Sequence, residues 1–196
     1  MIIHPTAVSP VGPIILFAAL GLFLLLMVFA GKREAGESGS HRSARSIVGI
    51  VIQMLGFVAV AAGPIDMALA PTAPAAIGQA GVVVLLTAFT CGVFAASKRA
   101  LGRNWSLVAR TRSDHELVTW GPFAYVRHPI YSALFAWLLA MAVAFGHYRG
   151  LILGAPLYWI GTTLRIVEEE KLLRARFGLA YDAYAVRVKR FLPGIV

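Results

Sequence analysis

The chain has 196 residues, of which 59% are apolar and 14% charged; soluble domains carry about 25% charged residues, so this composition excludes an ordinary water-soluble domain. The net charge of +9 does not mark a nucleic-acid binder, because the basic residues sit in short segments between apolar runs rather than as one stripe. A single cysteine, Cys91, lies inside an apolar run, where it can form no internal disulfide and reads as packing.

Val11 to Ala30 is the first predicted span, nearly uncharged and close to the roughly 20 residues that cross a hydrocarbon core. Met1 to Pro13 carries no Lys or Arg and Lys32-Arg33 follow the apolar run, the reverse of a signal peptide. A polar Gly/Ser-rich loop, Gly36 to Ser46, leads to a second span from Ile47 to about Ala62, broken by Gly63-Pro64. A Pro/Ala turn, Ala70 to Ala76, precedes the third span, Ala75 to Ser97. Ile130 to Phe145 is the fourth and Leu151 to Val167 the fifth, with Pro156 expected to kink it. The two are separated only by Gly146-His147-Tyr148-Arg149-Gly150, the spacing of a helical hairpin. Beyond them Leu173, Phe177, Tyr181, Tyr184 and Val188 recur every three or four residues, predicting one amphipathic helix packed on the membrane surface or on the protein. The expectation is an all-α polytopic membrane protein with about five transmembrane helices and a C-terminal amphipathic helix on the cytoplasmic side. It forms one domain over 1–196, with three spans in 1–100 and two spans plus the C-terminal helix in 101–196.

Basic residues orient it. Of eighteen Lys and Arg, only Arg149 falls in a loop of the opposite parity to the rest. The positive-inside rule therefore predicts an external N-terminus and a cytoplasmic C-terminus.

Two polar constellations abut the ends of apolar runs. The first is Gly121-Pro122-Phe123-Ala124-Tyr125-Val126-Arg127-His128-Pro129-Ile130-Tyr131. Pro129 suits the first turn of span four, with His128 near the cap and Tyr131 on the same side. Free amide groups at such a helix start accept acidic groups. The plain alternative is a snorkelling Arg127 and His128 within an aromatic belt of Trp120, Tyr125 and Tyr131. The second constellation is Arg165-Ile-Val-Glu168-Glu169-Glu170-Lys171, where span five leaves the membrane. Arg165 and Glu169 stand four apart, on one helical face and near enough to interact. An ionisable pair at that depth is a functional hypothesis by default. Glu168 and Glu170 could instead be solvated acids paired along the helix with Lys171, Arg174 and Arg176.

His115-Glu116-Leu117-Val118-Thr119, the Arg127-to-Tyr131 run, Arg165 to Glu170, Phe177-Gly178, Tyr181, Tyr184 and Arg187-Val188 occur in that order. Together they resemble the catalytic half of the isoprenylcysteine carboxyl methyltransferase and phospholipid methyltransferase family of integral membrane enzymes, over about Leu101 to Pro193. The resemblance implies S-adenosylmethionine (S-adenosyl-L-methionine) as methyl donor. It assigns donor binding to His115, Glu116, Leu117, Val118, Phe123, His128, Pro129, Ile130, Tyr131 and Glu169. It also gives Arg165 to the acceptor, and Arg165 and Glu169 to catalysis. The implied acceptor is an amphipathic, lipid-like molecule, a prenylcysteine-type carboxylate among them, reached from membrane lipid. No nucleic acid and no metal are implied. Three departures stand out: Phe123 where a tyrosine is usual, Ala133 where glycine is frequent, and no glutamine upstream of His115, Val108 being nearest in register.

Two other classes compete. An NADPH-dependent reductase of the sterol-reductase type shares such C-terminal helices, though 196 residues weighs against it. A non-catalytic membrane scaffold explains the spans but not the spaced His/Tyr and Arg/Glu sets.

Overall fold

The computed structural model describes residues 5–29, 44–102, 116–191 and 194. Six α-helices run through them: α1 (Val11–Phe29), α2 (Ala44–Ala61), α3 (Pro74–Leu101), α4 (Pro129–Phe145), α5 (Leu151–Phe177) and α6 (Leu179–Arg187). By length and composition α1, α2, α3 and the stretch Tyr148–Phe177, which contains α5, can each cross a membrane, and α4 is a shorter apolar helix. The chain is a multi-pass integral membrane protein. α5 continues through Pro156, in its second turn, without interruption.

The short helix is the central one. α4 buries Ala133, Ala136, Ala140, Ala142 and Ala144 along with Trp137, Leu138 and Phe145. Its alanines let neighbours approach, which matters in lipid, where helices associate by close packing rather than by hydrophobic exclusion. On one flank Trp137, Ala140, Ala144 and Phe145 pack with Leu16 of α1 and Val83 of α3. On the other, Leu138 and Ala142 pack with Val60 of α2 and Tyr158 of α5. Cys91 is buried at the α1–α3 contact, its Sγ 3.8 Å from the Ala19 carbonyl.

α2 and α5 touch backbone to backbone. A Cβ placed on Gly161 would lie 2.5 Å from both the Gly49 carbonyl and the Gln53 amide nitrogen, and one on Gly56 would lie 2.7 Å from the Gly154 carbonyl. Only glycine allows this approach.

The two ends of the bundle are fastened differently. At one end the Thr6 amide donates to the Gly146 carbonyl at 2.9 Å, and the Val8 amide to that of Asp66 at 2.8 Å. His147, between α4 and α5, sets Nδ1 2.9 Å from the Val60 carbonyl and Nε2 3.0 Å from that of Pro64. At the other end Lys98 caps α1, donating to the carbonyls of Met27 and, at 3.0 Å, of Leu26. Arg45 meets Glu168 there at 3.6 Å.

The single amphipathic C-terminal helix expected from periodicity is two helices. Gly178 takes φ +52°, a left-handed turn that closes α5 with its amide on the Arg174 carbonyl, and α6 restarts at a new angle. The periodicity survives the break because the apolar positions on both sides are used. Tyr181 and Tyr184 are buried, whereas Leu179 and Val186 are exposed.

Candidate active site

The site is built where three segments meet: the turn before α4, residues 165–170 of α5, two to three turns before its end, and residues 188–191 after α6. Gly121, at φ +63°, opens a short 3-10 turn over Gly121–Ala124. The next residues lie alongside the C-terminal segment: Val126 and Lys189 form a parallel bridge. The Arg127 amide donates to the Lys189 carbonyl at 2.7 Å and the His128 amide to that of Arg190 at 3.0 Å. His128 then caps α4 and Pro129 occupies the first turn, as the sequence predicts. Its side chain makes no capping bond; it faces α5 instead.

Each of the three consecutive acids has its own partner, and none is left as a merely solvated charge. Glu168 meets Arg45 of α2. Glu170, 5% exposed, is the anchor of the C-terminal segment. Arg190 grips it with two bonds, Nε to Oε1 at 2.9 Å and a terminal nitrogen to Oε2 at 2.6 Å. Arg127 reaches its Oε1 at 3.1 Å and His128 Nε2 lies 3.2 Å from the same oxygen. Arg127 also donates to the carbonyls of Ala185 and Val188, both at 2.6 Å. The hydrogen bond to Glu170 holds the Arg190 guanidinium above its ordinary pKa. Burial pushes the Tyr184 phenol up to about 12, against the pull of Arg127. Tyr184 thus stays a neutral donor, and its hydroxyl bonds the Phe123 carbonyl at 2.7 Å.

Glu169 turns the other way, toward the start of α4. The Tyr131 hydroxyl donates to its Oε1, and His128 Nδ1 lies 3.7 Å from its Oε2. The His128 and Tyr131 rings stand 5.8 Å apart at 47°, so a carboxylate and two rings converge on one helix start. Glu169 keeps 26% of its side chain exposed, while that of His128 is 6% exposed.

Arg165, one turn earlier and 7% exposed, reaches across to α2. Its guanidinium lies over the Tyr131 ring, 5.0 Å from the centroid, and donates to Gln53 Oε1 of α2 at 2.8 Å. Gln53 in turn donates to Thr162 Oγ at 2.9 Å. Tyr158 fixes Tyr131 from below, its hydroxyl on the Tyr131 carbonyl at 2.5 Å.

The structure therefore brings together His128, Tyr131, Glu169 and Arg165. Pro129 and Ile130 form the first turn beneath them. Phe123 is buried in the preceding turn, held through its carbonyl by Tyr184. Glu116, Leu117 and Val118 run without regular structure toward that turn, Glu116 exposed and the other two half-buried. His115 and Val108 lie outside the described residues. Ala133 is buried at the α3 contact, its carbonyl accepting from Thr90 at 2.8 Å. Gln53, Thr162, Tyr158 and Arg190 were not singled out from the sequence. The signal for Gln53 was available: it is a primary amide in the middle of an apolar span, a placement that demands a partner.

A multi-pass helical protein with a polar cluster at one end of its central helix defines the class. Residues 80–175 match the model of the Isoprenylcysteine carboxyl methyltransferase (ICMT) family. The likeness to that family lies in this segment, just under half of the chain. It is similar to a protein-S-isoprenylcysteine O-methyltransferase of Schizosaccharomyces pombe, 37% identical over 94 residues, which are 47% of this chain and 40% of the yeast protein. It is also similar to a protein of the same name from Dictyostelium discoideum, 36% identical over 84 residues (43% of this chain, 35% of that one). Protein-S-isoprenylcysteine O-methyltransferase B of Arabidopsis thaliana is 33% identical over 94 residues (47% and 48%). The matches thus span about half the length of these curated relatives, or less.

Proposed function

We propose that the chain is an S-adenosylmethionine-dependent methyltransferase acting on the carboxylate of a prenylcysteine-type, lipid-like acceptor at the cytoplasmic membrane boundary. The observation that carries the reading is the position of Tyr131. Its hydroxyl is bonded to Glu169 and its ring lies beneath the Arg165 guanidinium. One side chain thus joins an anionic subsite to a cationic one.

The residues fit the donor. Glu169 offers a half-buried carboxylate to an ammonium or sulfonium group, and His128 and Tyr131 offer two ring faces beside a helix start. His115 to Val118, Phe123, Pro129 and Ile130 would complete its binding surface. When bound, S-adenosylmethionine supplies a methyl group already activated on a sulfonium. The chain's own work is then orientation and exclusion of water. Arg165 would pin the acceptor carboxylate with paired N–H donors, in a buried place where a charged hydrogen bond is strong. An ionised carboxylate needs no base, which suits a site whose acids are all engaged. Glu168 and Glu170 hold α2 and the C-terminal segment, and so act on the site through its walls.

The orientation we propose puts the Thr6–Gly146–His147 end outside and the Lys98–Glu170 end in the cytoplasm, following the basic residues. In this arrangement the acceptor arrives sideways from lipid and the donor from water. A cysteine replacing Tyr148 should be labelled in intact cells by a membrane-impermeant reagent; protection there would invert the topology.

The decisive experiment compares Arg165→Ala with Glu169→Gln in detergent. Wild type should bind S-adenosylhomocysteine and not NADPH. Arg165→Ala should keep that affinity while turnover falls roughly ten- to a hundredfold, the loss of one charged hydrogen bond. Glu169→Gln should weaken S-adenosylhomocysteine directly. Arg165→Lys should not rescue, because a point charge lacks the planar fork. Equal losses of donor affinity in both variants would make the pair structural and sink the division of labour.

A further inference from the structure

We propose that α2 completes the acceptor subsite, with Gln53 as a positioning residue that aims the Arg165 guanidinium at an anionic acceptor. The inference rests on the reading of Arg165 given above. Gln53 lies outside the segment 80–175 that matches the family, so nothing in that match gives it a role.

The geometry is specific. Gln53 is fully buried in a helix that otherwise reads as apolar, and both ends of its amide are used. Arginine has only donors, so the oxygen at 2.8 Å from its terminal nitrogen must be the Gln53 carbonyl, and the amide NH2 must face Thr162 at 2.9 Å. Chemistry fixes the direction of this amide, and a flipped one would oppose two donors. Gly49, one turn before Gln53, leaves room for the arginine stem: a Cβ there would lie 2.7 Å from Arg165 Cγ. The guanidinium is therefore held on three sides, by the Gly49 backbone along its stem, by Gln53 at one terminal nitrogen and by the Tyr131 ring beneath.

The choice of a neutral amide has a consequence. A carboxylate in this position would hold the arginine as well or better, but would cancel its charge. Glutamine engages one of the five N–H donors and sets no negative charge of its own against the guanidinium. A residue whose purpose was only to join α2 to α5 would not need to be neutral.

Two substitutions separate these roles. Gln53→Glu retains the shape and an oxygen facing Arg165. It should preserve the detergent melting temperature and the affinity for S-adenosylhomocysteine, and raise KM for a short prenylated cysteine with a free carboxylate by about tenfold or more. Gln53→Asn stays neutral but withdraws the amide by one methylene. It should lower kcat several-fold with less change in KM, since the arginine is then charged but unaimed. A wild-type KM for Gln53→Glu overturns the proposal, as does an equal loss of donor affinity and melting temperature in both variants. The two readings fail separately. Wild type without methyl transfer to the prenylated cysteine sinks the proposed function. An active wild type, impaired Arg165→Ala and normal Gln53→Glu sink only the role of Gln53.

Discussion

The two flanks of α4 differ in what is added to their ring packing. Toward α1 and α3 the contact is made of large rings: Phe23 lies 4.5 Å from Phe94 and 5.9 Å from Trp137, and Phe17 lies 6.3 Å from Phe145. Toward α2 and α5 rings also meet, Phe135 lying 5.4 Å from Tyr158 and 5.0 Å from Trp159, but there α2 and α5 touch each other backbone to backbone at glycines and share a buried chain of Thr162, Gln53 and Arg165. Ring packing tolerates substitution, since any apolar shape of similar volume restores most of the dispersion contact. Hydrogen-bonded side chains between touching backbones do not, because each donor has one place to go. The flank that carries the proposed chemistry is thus also the one least able to shift.

The comparison breaks most severely at Glu170, on the polar flank. Glu170→Ala would strand Arg127 and His128 and free Arg190. Losing one partner of a buried ion pair costs about 3–5 kcal/mol. The low end applies here because Arg190 is 44% exposed and partly solvated. Limited trypsin digestion in detergent should then cut at Arg187 to Arg190, and the melting temperature should fall. An unchanged digestion pattern would show that the clamp is not what holds this segment.

A sharper contrast comes from one substitution on each flank. Gly161→Ala forces a methyl onto the Gly49 carbonyl and the Gln53 amide, both at 2.5 Å, and should cost about 1–3 kcal/mol. Because Arg165 is one turn away, turnover should drop further than stability alone explains. Phe23→Leu on the apolar flank should cost about 1 kcal/mol and leave kcat and KM unchanged. Similar kinetic losses in both would erase the distinction between the flanks. The smallest effect belongs to Thr90→Val, which removes the hydrogen bond to the Ala133 carbonyl. Interhelical bonds of this kind in membranes average about 0.6 kcal/mol, so a small shift in melting temperature with full activity is expected.

Much of this was legible in the sequence, for reasons that differ by residue. The spans announce themselves because lipid tolerates few charges, and the start of α4 because His128-Pro129 is a helix beginning with fixed φ. Glu169 and Tyr131 could be placed at one boundary by where the apolar runs end. What sequence could not supply was pairing across helices. Spacing put Arg165 and Glu169 on one face, yet the arginine turns to α2, and only the glycine approach of α2 to α5 makes that contact reachable. Lys189 and Arg190 read as topology charges because their partner, Glu170, lies twenty residues back in a different element. The break at Gly178 was hidden by apolar positions that keep their period through it.

The seating of residues 188–191 against Arg127, His128 and Glu170 has a consequence for how the protein is made. All five long helices precede these residues in the chain. Until Arg190 emerges, the inserted bundle carries a carboxylate, an arginine and a histidine whose common partner strand is missing. Assembly of the site therefore waits on residues 188–191 even when every span is in place. A nascent chain that stops short of Arg190 holds the scaffold without its clamp, and residues 188–191 act as the latch.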